Sequence, residues 1–495
     1  MRKTFASFLV ALATLGAQAA TIDQVLVRQQ WPWSSDIKIE YRLTGVTSPV
    51  DVSVALYDGD EQIVAPDLYR ALRGDLYGIS GDLDGTIYID PVKVFGDTKV
   101  NMPNLKVRLS LSASAANVNE VIYKIFCLTN DTVKDVTRAQ IMNGEYGSYE
   151  TDFSKIGDGF STGLDPAEVL IWTGVTNDVA YKTTHLVMRK IPAENVVWQC
   201  GSSGEVGGGA GANPAQYYIK LTSSYYMGVF ELTQEQYRRI YSKESGMPYN
   251  ARPSYHKDLE DADVHPVEQV TIYAVRGNPI GAKQNNPVGI LTGEAINWPT
   301  NSYRHDVAPK TLLGNMRNAT GCEFDLPTEA QWEFACRAGT TTAFNSGVGG
   351  SNNGATQANA TTVGWNSVNV TDKTTRAVGL KPCNAYGLYD MHGNILEMTL
   401  NASGTDMNTG ATSGTGATED DPAVDPVGHS NVSNYDGTVR IKRGGSYGSN
   451  GDLAPNMYWA DSRSATRIGW YNWTQIRSDM GIRLVCPVQQ QWSPH

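Results

Sequence analysis

The sequence has no C-x-x-C pair among its six cysteines, no H-x-x-x-H or H-E-x-x-H among its seven histidines, and no Lys/Arg cluster. The first absence excludes a dithiol redox motif and a paired-cysteine zinc site. The second excludes a helix that presents two imidazoles to one metal. The third, with a formal charge of −11, argues against a nucleic-acid partner. Long apolar runs are missing too. The stretch Phe5 to Leu15 is too short to span a bilayer, and no later segment is long enough.

That short run has a different meaning in context. Arg2 and Lys3 precede it and Ala17-Gln18-Ala19 follows it, so residues 1–19 read as a secretory signal peptide. The expectation is an exported protein, periplasmic or extracellular, with no membrane span. Export makes disulfides permissible for Cys127, Cys200, Cys322, Cys336, Cys383 and Cys486.

A chain of 495 residues can hold two or three domains. From 20 to about 130 the pattern is period two. Ile37, Ile39, Tyr41 and Leu43 alternate with charged residues, as do Val50 to Leu56 and Leu105 to Leu111 with polar ones. Strands of this kind, separated by turn residues, predict a small antiparallel β-sandwich. Trp31-Pro32-Trp33 is read as packing within it. Residues 131–164 are rich in Asp, Gly, Ser and Thr without periodicity and read as a linker. A second domain is expected over 165–490, with strand character from Leu170 to Ile191. The Gly-rich stretch Gly201 to Gly211 lacks the Gly-Lys-Ser/Thr ending of a phosphate loop.

Two helix starts carry strong local chemistry. Thr233-Gln234-Glu235-Gln236 and Thr328-Glu329-Ala330-Gln331 are capping boxes, in which the Thr hydroxyl accepts from the third amide and the Gln reaches back. The second helix should stop at Gly339. A third helix is expected over about Lys310 to Arg317. Arg276 to Val307 and Asn401 to Asp436 read as irregular insertions. Arg443-Gly444-Gly445-Ser446-Tyr447 and the stretch to Met480-Gly481-Ile482-Arg483-Leu484 mix aromatics with small polar residues, without the period of a core element.

These landmarks resemble one family. Tyr225 to Gln234, His265-Pro266-Val267-Glu268-Gln269-Val270, Leu326 to Ala335, Asn384 to Asn394, Arg443 to Ser446 and Gly481 to Leu484 are similar, in order, to the motifs of the formylglycine-generating enzyme (sulfatase-modifying factor) domain. The resemblance covers about 185 to 487. It implies an α+β, C-type lectin-like fold preceded here by the all-β sandwich. The family's enzymes oxidise a substrate cysteine to formylglycine with oxygen and copper held by two thiolates. Those positions fall on Ser449 and near Ala454, and no cysteine lies between Cys383 and Cys486. A hydroxyl does not supply the soft sulfur that Cu(I) requires, so copper is not expected. An iron centre built from histidines, as in another branch, lacks its H-x-x-x-H cluster.

The resemblance further implies a Ca²⁺ site at Asp390, Gly393, Ile395 and Glu397, and a disulfide between Cys336 and Cys486. The function expected is a non-catalytic module that binds a protein or glycan through Tyr447, Asn450, Trp470, Tyr471 and Trp473. A sulfatase or a catalytic paralogue would be a fitting protein partner. The alternative is an enzyme of the sulfatase-maturation type, or one with altered chemistry, in which Ser446 and Ser449 are the catalytic candidates. A related use of the fold is the variable protein of diversity-generating retroelements, which randomises the same terminal region.

Overall fold

The pattern of alternating side chains at Ile37, Ile39, Tyr41 and Leu43 does produce a strand with one buried face, spanning Ile37–Thr44. The computed structural model describes residues 20–30, 34–65, 67–96, 104–151, 169–201, 216–277, 307–346, 357–402, 418–426, 440–448, 461–469 and 476–488. Residues 1–19 and Trp31-Pro32-Trp33 lie outside them, as does most of both insertions. The chain divides into two compact units.

The first unit takes Met1–Glu120 and Arg138–Glu145. Its sheets have four and three strands. Ile37–Thr44 pairs with Thr21–Gln29 and with Leu83–Ile89, and Val50–Asp58 pairs with Leu105–Ala113. One apolar core takes Ile39, Leu43, Ile87 and Ile89 from one sheet and Val52, Leu56 and Leu109 from the other. This is a sandwich, because each sheet buries the face that its period-two pattern makes apolar.

The second unit takes Val121–Thr137 and Tyr146–His495. Its main sheet runs, in spatial order, Val485–Pro487, Tyr225–Gly228, His185–Ile191, Val121–Cys127 and Val133–Thr137, all antiparallel. Residues 121–137, expected to divide at 130 between the sandwich and a linker, instead form two strands of the second unit. Period two reports a buried face but not which sheet receives it. Within 170–191 only His185–Ile191 is regular strand, preceded by short helical turns at Thr173–Thr176 and Ala180–Thr183.

Both capping boxes form. Thr233 and Gln236 exchange bonds of 3.0 and 3.2 Å at the start of the helix Gln234–Tyr241. Thr328 and Gln331 exchange bonds of 2.9 and 3.1 Å at the start of the helix Glu329–Arg337, which ends in left-handed Ala338 and Gly339. The third helix is Leu312–Thr320, capped by Thr311. A core of Phe126, Met188, Tyr237, Leu313, Phe324, Leu396, Ile482 and Leu484 joins the main sheet, the helices and a small second sheet. That small sheet, Arg440–Arg443, Leu396–Ala402 and Met480–Gly481, carries the recurrent motifs on its ends. Among the described residues no helix is long and apolar enough to cross a membrane.

Candidate functional site

The small sheet brings three motifs together around one buried cation. Arg483 is fully buried. It donates to both Glu397 oxygens at 2.7–3.0 Å, and to the carbonyls of Gly228 (3.0 Å), Val229 (3.1 Å) and Tyr389 (2.8 Å). Trp332 donates its indole N–H to Glu397 Oε2 at 2.6 Å. A second guanidinium, Arg443, pairs with Glu333, donates to the carbonyls of Ser464, Ala465 and Thr466, and lies over the Trp332 ring. Two buried arginines thus tie the helix Glu329–Arg337 to the end of the small sheet where Glu397 and Arg443 pair.

The expected calcium residues sit beside Arg483. Asp390 and Asn394 adopt left-handed φ of 57° and 58°. Asp390 Oδ2 accepts from the Gly379 amide at 2.7 Å, whereas its Oδ1 is buried with no hydrogen-bond partner. Glu231 closes the cluster, accepting from Asn394 Nδ2 (2.7 Å) and from the Ile395 amide (3.2 Å). Burial, reinforced by the charges of Asp390 and Glu397, pushes the Glu231 carboxyl well above the usual range. Burial likewise lifts Asp390 to about 6, against the opposing pull of the Gly379 amide, Arg483 and Lys182. Three buried carboxyls face one guanidinium, and the orphaned Asp390 oxygen is what a hard dication would take up. Among the described residues no group of three or more His, Cys, Asp or Glu side chains could hold a metal ion.

The glycine turn packs on the same loop. Gly444 and Gly445 have φ of 90° and 69°. A Cβ on Gly445 would run into Ser462, so the position needs glycine for space as well as for φ. The Gly393 amide donates to the Gly444 carbonyl at 2.6 Å and the Tyr447 amide to the Asn394 carbonyl at 2.9 Å. Ser446 is buried, and its Oγ donates to Asp479 Oδ2 at 3.1 Å, while Arg477 holds both Asp479 oxygens at 2.8 Å. The Ser446 hydroxyl is thus anchored to a carboxylate that is itself held by Arg477. Tyr447, expected at the ligand surface, is buried instead. Its hydroxyl lies 2.8 Å from His256 Nε2 and donates to Ser478 at 3.1 Å, and burial lifts its ionisation to about 12. Ser449, Asn450, Trp470, Tyr471 and Trp473 lie outside the described residues.

Sequence reasoning missed the segment beside this turn. Glu268 accepts the amides of Tyr255 and His256 at 2.9 Å each, and burial lifts its carboxyl to about 7. Tyr255 is 67% exposed and stands edge-on to His256, with Tyr249 also exposed in the same loop. The signal for it in the sequence is Glu268, inside the stretch His265 to Val270. His392 has both ring nitrogens occupied, by the Ser462 carbonyl and the Asn345 amide, and burial lowers its pKa to about 4.

The expected Cys336–Cys486 disulfide does not form, and both thiols are free. The helix Glu329–Arg337 turns Cys336 Sγ toward the Met391 carbonyl (3.9 Å), His392 Nε2 (3.8 Å) and Ser464 Oγ (3.7 Å). The last strand turns Cys486 toward Cys322 instead.

The fold and motif geometry define a formylglycine-generating-enzyme-type α+β domain. Residues 186–488, more than half of the chain, match the pattern that defines the Sulfatase-modifying factor enzyme 1-like domain, and the chain belongs to that family. It is 29% identical over 193 residues to the "Chaperone protein LppX" of Paenibacillus barcinonensis; the match covers 35% of this chain and 61% of that protein. Among solved structures it is similar to Treponema denticola variable protein 1, at 24% identity and a TM-score of 0.39. It is also similar to PvdO from Pseudomonas aeruginosa, at 17% identity and a TM-score of 0.39. Each match covers 61% of this chain and 95% of the other.

Two outcomes test the site. Arg483→Met should destabilise the second unit by about 3–5 kcal/mol, because it strands buried carboxylates, and Arg483→Met/Glu397→Gln should recover part of that loss in chemical denaturation. The Glu268 pKa lies above its unfolded value of 4.5, so its stabilisation is complete below about pH 4.5 and is lost as pH rises through 7. Glu268→Gln should therefore flatten the fall in melting temperature between pH 5 and 8, whatever constant offset the lost acceptor oxygen adds.

Proposed function

We propose that the chain is an exported binding protein that has kept the frame of its enzyme family without the copper chemistry. The observation that carries this reading is the glycine turn. Its serine is committed to Asp479, and no cysteine follows it before Cys486. Without paired thiolates there is nothing to hold Cu(I) and pass electrons to oxygen. The leader-like residues 1–19 support export.

The binding surface we assign is the exposed loop carrying Tyr249 and Tyr255; Asn450, Trp470, Tyr471 and Trp473, the other contacts expected, lie outside the described residues. Exposed tyrosines give contact area at low entropy cost. The ligand is a protein or a glycan, with a sulfatase or a catalytic paralogue as the protein classes that match the family. The name of the Paenibacillus relative accords with a protein client. Ca²⁺ at Asp390, Gly393, Ile395 and Glu397 would neutralise the buried acidic cluster and fix the loop on which the turn rests.

The purified chain, given Cu(I), oxygen and a peptide bearing the sulfatase cysteine motif, should leave the thiol unchanged by mass spectrometry. Appearance of an aldehyde would overturn the reading in favour of the enzyme. On arrays of glycans and secreted proteins, Tyr255→Ala should weaken the bound partner about tenfold, roughly 1.4 kcal/mol. Calcium at a hundredfold excess over its dissociation constant should stabilise the protein by about 2.7 kcal/mol, reversed by chelator and absent in Asp390→Asn. Identical melting with and without calcium would remove the metal from the proposal.

A further inference from the structure

The strand Val485–Pro487 lies between two partners. On one side it pairs with Tyr225–Gly228. On the other, the amides and carbonyls of Asp325 and Val485 exchange two bonds of 2.9 Å. An antiparallel bridge at that pair sets Phe324 opposite Cys486. Just before Phe324 the chain folds back on itself, the Phe324 amide donating to the Cys322 carbonyl at 2.8 Å. The fold-back sets Cys322 in the same buried cluster as Cys486, where the two thiols act on each other. Both side chains are buried, at 1% and 0% exposure, in the apolar core with Phe324 and Leu484. Among the described contacts, Cys336 instead meets His392 and Ser464, and Cys383 meets Tyr389.

We propose that Cys322 and Cys486 are a disulfide site that staples the last strand to the segment leading into the helix Glu329–Arg337. Two S–H bonds break and one S–S bond forms. The two electrons and two protons pass to the disulfide of a thiol–disulfide oxidant, which leaves as two thiols. The pairing differs from the Cys336–Cys486 bridge that the family resemblance suggests, because the last strand presents its sulfur to the Cys322 fold-back and not to the helix. Its consequence for the site is direct. Arg483, which holds Glu397 and the Tyr389 carbonyl, lies three residues before Cys486 on the stapled segment. Closing so long a loop restricts the unfolded chain and leaves the native contacts as they are.

The test uses the full chain in two preparations. One is secreted into an oxidising bacterial periplasm; the other is reduced, denatured and refolded in a glutathione redox buffer, so that burial does not shield the thiols. Expected are a Cys322–Cys486 cross-linked peptide on non-reducing digestion and two fewer thiols under denaturant than the six of the reduced chain. The melting temperature should rise by roughly 5–10 °C over reduced protein, reversibly with dithiothreitol. Cys322→Ser and Cys486→Ser should each lose the cross-link and the dithiothreitol-sensitive shift. Six free thiols in both preparations, or a peptide joining Cys486 to Cys336, would overturn the proposal.

Discussion

The second unit depends on one buried ion pair. Arg483 and Glu397 are both almost fully removed from water, at 0% and 1% side-chain exposure, and each carries more hydrogen bonds than the pair itself. Desolvating two charges costs several kcal/mol apiece, so the pair is sustainable only because Trp332 and three carbonyls occupy the remaining sites. Those partners belong to three separate stretches: the capped helix, the strand end at Gly228 and the turn at Tyr389. The pair works as a junction that requires all three to be in register, more than as a simple source of stability.

Around this junction the fold has separated frame from chemistry. Arg443 repeats the device on the other side of Trp332, which fixes where the chain enters the glycine turn. The turn's shape then follows from two left-handed glycines and the contact with Ser462. None of these interactions requires the residues that would make the turn reactive. The framework contacts therefore do not depend on the residues that follow the turn. That independence is why family membership alone does not settle activity.

Much of the frame was legible in the sequence, because it is written in local rules. The capping boxes at Thr233 and Thr328 formed as spaced, and the alternation at Ile37 to Leu43 gave a half-buried strand. What escaped was settled by tertiary contacts. Strand alternation does not say which sheet a strand joins, so 121–130 read as sandwich and 131–137 as linker, although both belong to the second unit. Tyr447 reads as a surface aromatic beside small polar residues, but His256, about 190 positions upstream, draws its hydroxyl inward. The helix rotation that turns Cys336 toward His392 was equally invisible. For the cluster around Asp390 and Glu397, the motif position of those two carboxyls could be read from the sequence, while the packing of Glu231 and Arg483 against them could not.

The order of strands in the main sheet has a practical meaning. The two outermost positions on one side come from residues 121–137, and the opposite edge from residues 485–487. The segment recognised as the family domain begins at 186, one residue into the strand His185–Ile191. A fragment cut there would leave that strand's amides and carbonyls facing solvent where Val121–Cys127 had covered them. The physical domain is thus longer than the recognisable one, and a shortened version would present a sticky flank prone to self-association.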